Sequence, residues 1–391
     1  MGDVASSKKK SAAVEVRVFG QTDVGQVREH NEDNFLIADL TRKTRSFEAT
    51  TVHTLGRSGA VFGVCDGMGG AAAGEVASQL AVDIIYDRLS QAKAPRGREE
   101  LARRLVKAVQ DAGLRIFSEA RADRSRRGMG TTSTMSALID DRLFLAQVGD
   151  SRAYLLRDAE LTQITRDQSL VNQLIEAGQL TEEEAETFEH NNIILQALGT
   201  SEVVQVDLTY VDLRLDDTLM ICSDGLSGMV RSEDICGVLT ELEDPVEACA
   251  KLIALANEAG GHDNVTVVIV KFVGAGLSEP SEGDPAVCYQ KYSFSDTEGA
   301  PAEEDSGPPE RAEFRDTAKL PRRGDSQPPE SGATAPSSSG DGPSLLAKAA
   351  PIAGSEDSVA VPLAGWPPGA VGAIIMAGVT LIIVMGFYLL R

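Results

Sequence analysis

Histidine and cysteine are few and poorly spaced for chelation. The five cysteines, at 65, 222, 236, 249 and 288, form no CxxC pair and no even framework. That excludes a zinc finger or a disulfide scaffold and fits a reducing compartment. The four histidines, at 30, 53, 190 and 262, show no HExxH or other zinc spacing. Basic residues are also short: 37 Lys and Arg face 59 Asp and Glu, a formal charge of −22. Such a chain repels a phosphate backbone, so nucleic acid is excluded as a general partner. The N-terminus, MGDVASSKKKSAAVEVRV, lacks the apolar run of a signal peptide, and the globular part is expected in the cytoplasm. Proline is nearly missing from the first 272 residues, where only Pro95 and Pro245 of 16 lie.

The other 14 prolines fall between 273 and 368, in stretches such as PAEEDSGPPE and DSQPPESGATAPSSSGDGPS. Between 273 and 365 there are 16 acidic and 7 basic residues, and no hydrophobic period. Such a segment cannot bury enough apolar surface to offset its ordering entropy, so 273–369 reads as a disordered acidic linker. Residues 370–390, AVGAIIMAGVTLIIVMGFYLL, carry no charge. As a helix they would reach roughly 31 Å, enough for a bilayer core. The expected ending is a transmembrane tail anchor, which gives a membrane localisation with a single C-terminal pass.

Residues 14–272 carry the fold. Apolar or alternating strand patterns occur at 14–20, 34–39, 60–66, 131–139, 142–150, 151–157, 203–213, 218–224 and 264–272. Helical patterns occupy 74–89 and 98–120, then 232–241 and 245–259. Hairpin-like strands with helices inserted in pairs predict an α+β fold, with helices covering two packed sheets.

Certain acidic residues stand at strand ends. VFGVCDGMGG puts Asp66 after an apolar strand and before glycines, and MICSDGLSGMV does the same with Asp224. Asp150 sits at the tip of a hairpin in LFLAQVGDSRAYL, and Asp263 directly precedes a strand in GHDNVTVVIV. TDVGQVREHNEDNFLI places Arg28, Glu32 and Asp33 ahead of another strand. Carboxylates converging on one rim repel unless a cation neutralises them, and oxygen-only ligands point to Mg²⁺ or Mn²⁺. No EF-hand loop is present.

The motifs TDVGQVREHNED, VCDGMGG, GMGTT, VGDSRAYL, CSDGL and HDNVTVV occur in one order over residues 16–272. In that order and spacing the chain resembles the type 2C, metal-dependent serine/threonine protein phosphatases. The Met-Gly-Gly after Asp66 and SLVNQLIEAGQLTEEEA are similar to the bacterial branch. The resemblance implies a four-layer α-β-β-α arrangement, a central β-sandwich of two antiparallel sheets flanked by helices. It implies two Mn²⁺ or Mg²⁺ ions at one end, with a bridging hydroxide that attacks phosphoserine or phosphothreonine. By position, Asp66 would bridge the metals, the Gly67 carbonyl would complete one shell, and Asp224 and Asp263 would ligate the other. Glu32 and Asp33 would hold metal-bound waters, and Asp150 matches the position of a third, weaker metal. Arg28 would grip the substrate phosphate as the catalytic, substrate-binding residue. Residues 166–200 would form a flap beside the site. Implied partners are phosphorylated Ser/Thr proteins and a Ser/Thr kinase whose action the enzyme opposes. A catalytically silent member would instead be a regulatory binding module.

Three positions depart from the family pattern. Met68 stands where eukaryotic members have His, Gln168 replaces a frequent His, and Gln196 replaces a frequent Arg.

Overall fold

The computed structural model describes residues 13–294, apart from 46, 70–72, 186–187, 189–191 and 282. Its strands are β1 (Glu15–Asp23), β2 (Asn34–Asp39), β3 (His53–Thr54), β4 (Ala60–Cys65), β5 (Gly67–Met68), β6 (Gly130–Thr131) and β7 (Ser133–Ile139). Six more follow: β8 (Arg142–Val148), β9 (Arg152–Arg157), β10 (Glu160–Gln163), β11 (Asp207–Asp212), β12 (Thr218–Cys222) and β13 (Val265–Val273). The helices are α1 (Ala73–Gln91), α2 (Arg98–Ala122), α3 (Leu170–Glu176), α4 (Glu182–Ala185), α5 (Asp224–Ser227), α6 (Ser232–Glu241) and α7 (Pro245–Glu258).

One sheet runs β10-β9-β12-β13-β1-β3 and the other β11-β8-β7-β4-β2, while β5 and β6 make a two-stranded pair between α1 and the site. All registered pairs in these sheets are antiparallel, as between Glu15 and Val273 or Asn34 and Cys65. Residue alternation explains the layers. Along β4, Ala60, Phe62 and Val64 face the space between sheets, while Val61 and Cys65 face α1 and α2. Along β13, Val268, Val270 and Phe272 face the same inner space, while Val265, Val267 and Ile269 meet α6 and α7. Strands buried on both faces need continuous apolar runs, which β4 and β13 have. The result is the expected α-β-β-α order, with three apolar layers between four structural ones.

α1 and α2 bury small and aliphatic residues on one face, including Ala77, Ala81, Ile85, Leu105 and Ile116. α7 starts on Pro245, with the Asp244 side chain accepting from the Val246 N–H at 2.9 Å. Proline at a first helical position and an acidic N-cap both suit a helix start.

The expected domain end at 272 is corrected. After β13 the chain turns back: Leu277 is buried between the sheets, and Arg214 pairs with Asp284 at 2.8 and 2.9 Å. Residues 290–292 then lie antiparallel beside β11, Tyr210 N–H donating to the Gln290 carbonyl and Tyr292 N–H to that of Leu208. The Tyr292 ring sits edge-on to Phe144 and Tyr210, at 5.2 and 5.5 Å. Composition alone assigned this stretch to the linker, because its few apolar residues are spaced too widely to show a period. The rest of the expected linker and the expected span at 370–390 lie outside the described residues. Among the described residues no helix is long and apolar enough to cross a membrane.

Candidate active site

The acidic strand ends meet at one end of the sandwich. Asp66 follows β4, Asp150 lies in the β8–β9 turn, Asp224 opens α5 after β12, and Asp263 precedes β13. Asp33 enters from the loop before β2. Burial pushes the Asp66 carboxyl well above its ordinary range, and Asp33, Asp224 and Asp150 push it further by charge repulsion. Burial also raises Asp224, with Asp263 adding repulsion. Asp33 and Asp150 are each pushed up to about 7, mainly by burial. Asp33, Asp66, Asp150 and Asp224 thus form one cluster, in which Asp33 and Asp150 are buried and Asp66 and Asp224 half-buried.

Asp263, Glu32 and one oxygen of Asp33 are turned onto protein partners. Asp263 Oδ2 accepts from Arg28 at 2.7 Å, and both side chains are substantially exposed at the rim. Asp33 Oδ2 accepts from Thr266 Oγ1 at 2.7 Å. Glu32 is less enclosed and accepts from the Gly74 N–H at the start of α1, and burial raises its carboxyl modestly against that bond. Because the acids face these partners, no three Asp, Glu, His or Cys side chains among the described residues surround one point. Two oxygens are left over. Asp224 Oδ1 and Asp150 Oδ1 are buried with no hydrogen-bond partner among the described residues. A buried carboxylate oxygen without a donor is costly, and a divalent cation satisfies it. The donor set is all oxygen. Cys65 and Cys222 lie in apolar layers and their thiols are pushed up to about 12 by burial, which leaves them inert.

Close backbone packing shapes the site. A Cβ on Gly67 would meet the Glu32 and Gly74 carbonyl oxygens at 2.4 Å, and one on Gly225 would meet the Asn264 carbonyl at 2.1 Å. Only glycine lets these chains approach so closely.

Several supporting residues carry no sequence expectation. Asn264, buried beside Asp263, donates to the Val24 and His30 carbonyls at 3.0 and 2.9 Å and accepts from the Glu32 N–H at 2.8 Å. It fixes the whole loop bearing Arg28, Glu32 and Asp33. Ser78 Oγ donates to the Glu32 carbonyl. Thr131 Oγ1 donates to the Asp66 carbonyl at 2.8 Å, while Thr132 Oγ1 accepts the Asp66 N–H at 2.9 Å. The available signals were the HDNVTVV motif, which sets Asn264 between Asp263 and an apolar strand, and GMGTT, which contains Thr131 and Thr132.

The flap region leaves β10 through Asp167, which accepts from Arg152 at 2.7 Å. Gln168 bonds Gly149 twice, its N–H to that carbonyl at 3.0 Å and its Oε1 from that N–H at 2.9 Å. Gln196 Nε2 lies 3.4 Å from Gln168 Oε1, so two of the three departures from the family pattern touch each other beside Asp150.

Known proteins with this sequence pattern agree with the geometry. The family model described as Protein phosphatase 2C matches residues 49–258. The serine/threonine phosphatase stp of Listeria innocua is 35% identical over 251 residues, which are 64% of this chain and 94% of that one. PstP of Mycobacterium tuberculosis, a serine/threonine protein phosphatase, is 37% identical over 258 residues, 66% of this chain and 45% of PstP. A crystal structure of the PstP catalytic domain in complex with two manganese ions superposes with a TM-score of 0.56 at 36% identity, covering 66% of this chain and 99% of that one. A family match over more than half the chain, on the sandwich that brings the strand-end acids together, decides the assignment: the chain belongs to the protein phosphatase 2C family.

Proposed function

We propose that this chain is a metal-dependent protein phosphatase that hydrolyses phosphoserine and phosphothreonine, tethered to a membrane by residues 370–390 and opposing a Ser/Thr kinase. The observation that carries the reading is the pair of unsatisfied buried oxygens, Asp224 Oδ1 and Asp150 Oδ1, within a cluster of mutually repelling carboxyls. Asp66, the Gly67 carbonyl, Asp224 and Asp263 would hold two manganese or magnesium ions, with Asp33 and Glu32 beside them and Asp150 as a third, weaker position. Such ions polarise a phosphoryl oxygen and acidify a bound water. The manganese in the PstP structure supports that choice of metal.

The protein's own part follows from its geometry. Burial and neighbouring carboxylates raise both Asp66 and Asp224, and positive charge held between them would favour their ionised forms. Asn264 and Ser78 keep the Arg28–Asp33 loop in register with β13 and α1. Arg28 spends one nitrogen on Asp263. Its planar fork leaves donors for the equatorial oxygens of a phosphate, where charge builds in the transition state. Glycine at 67 and 225 lets the Glu32, Gly74 and Asn264 carbonyls pack closely beside the acids.

The test is hydrolysis of a phosphothreonine peptide with Mn²⁺ and with EDTA, beside Mn²⁺ calorimetry. Asp224→Asn should lower kcat/KM by about 10³-fold or more, as expected when a principal charge partner in the transition state is removed. It should also weaken Mn²⁺ binding without unfolding the domain. Near-wild-type turnover in the variant would sink the metal assignment. A peptide left intact by the wild type at every Mn²⁺ concentration would favour the silent binding module.

A further inference from the structure

A cavity of about 360 Å³ opens at the root of the flap, next to Asp150 but outside the carboxyl cluster. Its lining includes Gln168, Gln196, Gln205, Asp207, Arg166 and Lys291. Lys291 comes from the segment that follows β13 and returns along β11. That segment alternates as a strand does. Tyr292 faces the helical layer against Phe144. Tyr289 and Lys291 face Asp207: the tyrosine hydroxyl donates to Asp207 Oδ2, and the lysine Nζ lies 3.3 Å from Oδ1. Arg166 pairs with Glu176 of α3, which also lines the cavity.

The lining is hydrogen-bonding rather than apolar, and its charges are arranged in pairs. Side-chain amides match the donors and acceptors of an extended peptide. The size falls at the low end of ligand-binding clefts, roughly 300–1,000 Å³. Gln168 is bonded to Gly149, the neighbour of Asp150, so the cavity lies beside the turn that carries one of the site acids. We propose that Lys291 is a specificity-determining residue and Tyr289 a positioning residue: Lys291 and Asp207 line a subsite that takes the polar peptide flanking the phosphorylated residue, and the Tyr289 hydroxyl holds Asp207 in place. The proposal rests on the phosphatase reading above. It assigns substrate selection partly to a segment beyond β13, so that the chain leading out of the domain bears directly on the flap.

The experiment uses the full chain with Mn²⁺, a short phosphothreonine peptide and p-nitrophenyl phosphate, which has no flanking residues. Tyr289→Phe and Lys291→Ala together should lower kcat/KM for the peptide by about tenfold, the scale of one lost charge-assisted bond, mainly through KM. The loss on p-nitrophenyl phosphate should be several times smaller. Lys291→Arg, with Tyr289 intact, should keep most of the peptide activity. Peptide kinetics within twofold of wild type in the double variant would overturn the proposal. So would equal losses on both substrates, which would mark a general disturbance of the site. If the wild type hydrolyses neither substrate, the phosphatase reading itself fails, and this one with it.

Discussion

Asp33 is enclosed by β1, β13 and α5, and burial holds its carboxyl at about 7, partly relieved by Thr266 and Ser223 and raised again by Asp224 and Asp263. In the unfolded chain the same group titrates near the usual 3.8. The folded state therefore keeps a proton that the unfolded state gives up. The stabilisation is present below the unfolded value and is lost as pH rises through about 7. With EDTA present, the wild type should lose Tm relative to Asp33→Asn as pH rises between about 4 and 7, by a few degrees. Saturating Mn²⁺ should reverse the ranking at the upper end, because the charged carboxylate is then the useful form. Thermal melts across that range check it, and parallel Tm curves for the two proteins would show that Asp33 keeps an ordinary pKa. These acids were legible in the sequence because each stands where an apolar run begins or stops, at a strand end. Their surroundings were not. Thr266 is 233 residues from Asp33, and only the closed sandwich makes them neighbours.

The connection from β1 to β2 has no regular structure, yet it carries Arg28, Glu32 and Asp33. Asn264 is what gives it a fixed path, through three hydrogen bonds to Val24, His30 and Glu32. Asn264→Ala should cost about 1–3 kcal/mol of stability, since it leaves buried backbone groups unpaired. It should lower kcat/KM at least tenfold, because misplaced catalytic groups lose more than the fold does. Denaturant unfolding and peptide kinetics together check it; a stable variant with unchanged kinetics would show that the loop holds itself. Long elements were read closely: helices expected at 74–89 and 98–120 form at Ala73–Gln91 and Arg98–Ala122. The elements missed were short. β10 follows a two-residue turn in which Asp158 and Ala159 both have positive φ, 51° and 62°, without the Asn-Gly or Asp-Gly that usually signals such a turn. α3 begins on Ser169, whose side chain accepts the Asn172 N–H, but at seven residues it is too short to show a helical period.

The domain boundary is a property of the whole molecule, and composition placed it too early. Acidic, proline-containing sequence after 272 looks unable to pack, yet Leu277 and Tyr292 are anchored in separate apolar layers by the chain's return along β11. Anchors of this kind need no periodicity, only a sheet edge within reach, and β11 is such an edge. A fragment of residues 1–294 should therefore be soluble, folded and, with Mn²⁺, active. A fragment of residues 1–272 loses two packed side chains, worth about 1.5–3 kcal/mol each when fully buried, and the edge-on ring contacts of Tyr292, about 0.5–1.5 kcal/mol more. Its Tm should be lower by roughly 5–15 °C at this domain size. If the proposed subsite wall is right, its phosphopeptide KM should rise even below that Tm. The same pair of lengths separates fold from tether. The full chain should sediment with membranes and resist extraction by high salt, because a spanning helix is held by apolar burial rather than charge. The 1–294 fragment should stay in the supernatant. Equal melting of the two fragments would return the boundary to 272, and release of the full chain by salt would remove the anchor. Either result leaves the other standing, because residues 274–294 contribute to the folded core whereas the expected span at 370–390 acts on the bilayer.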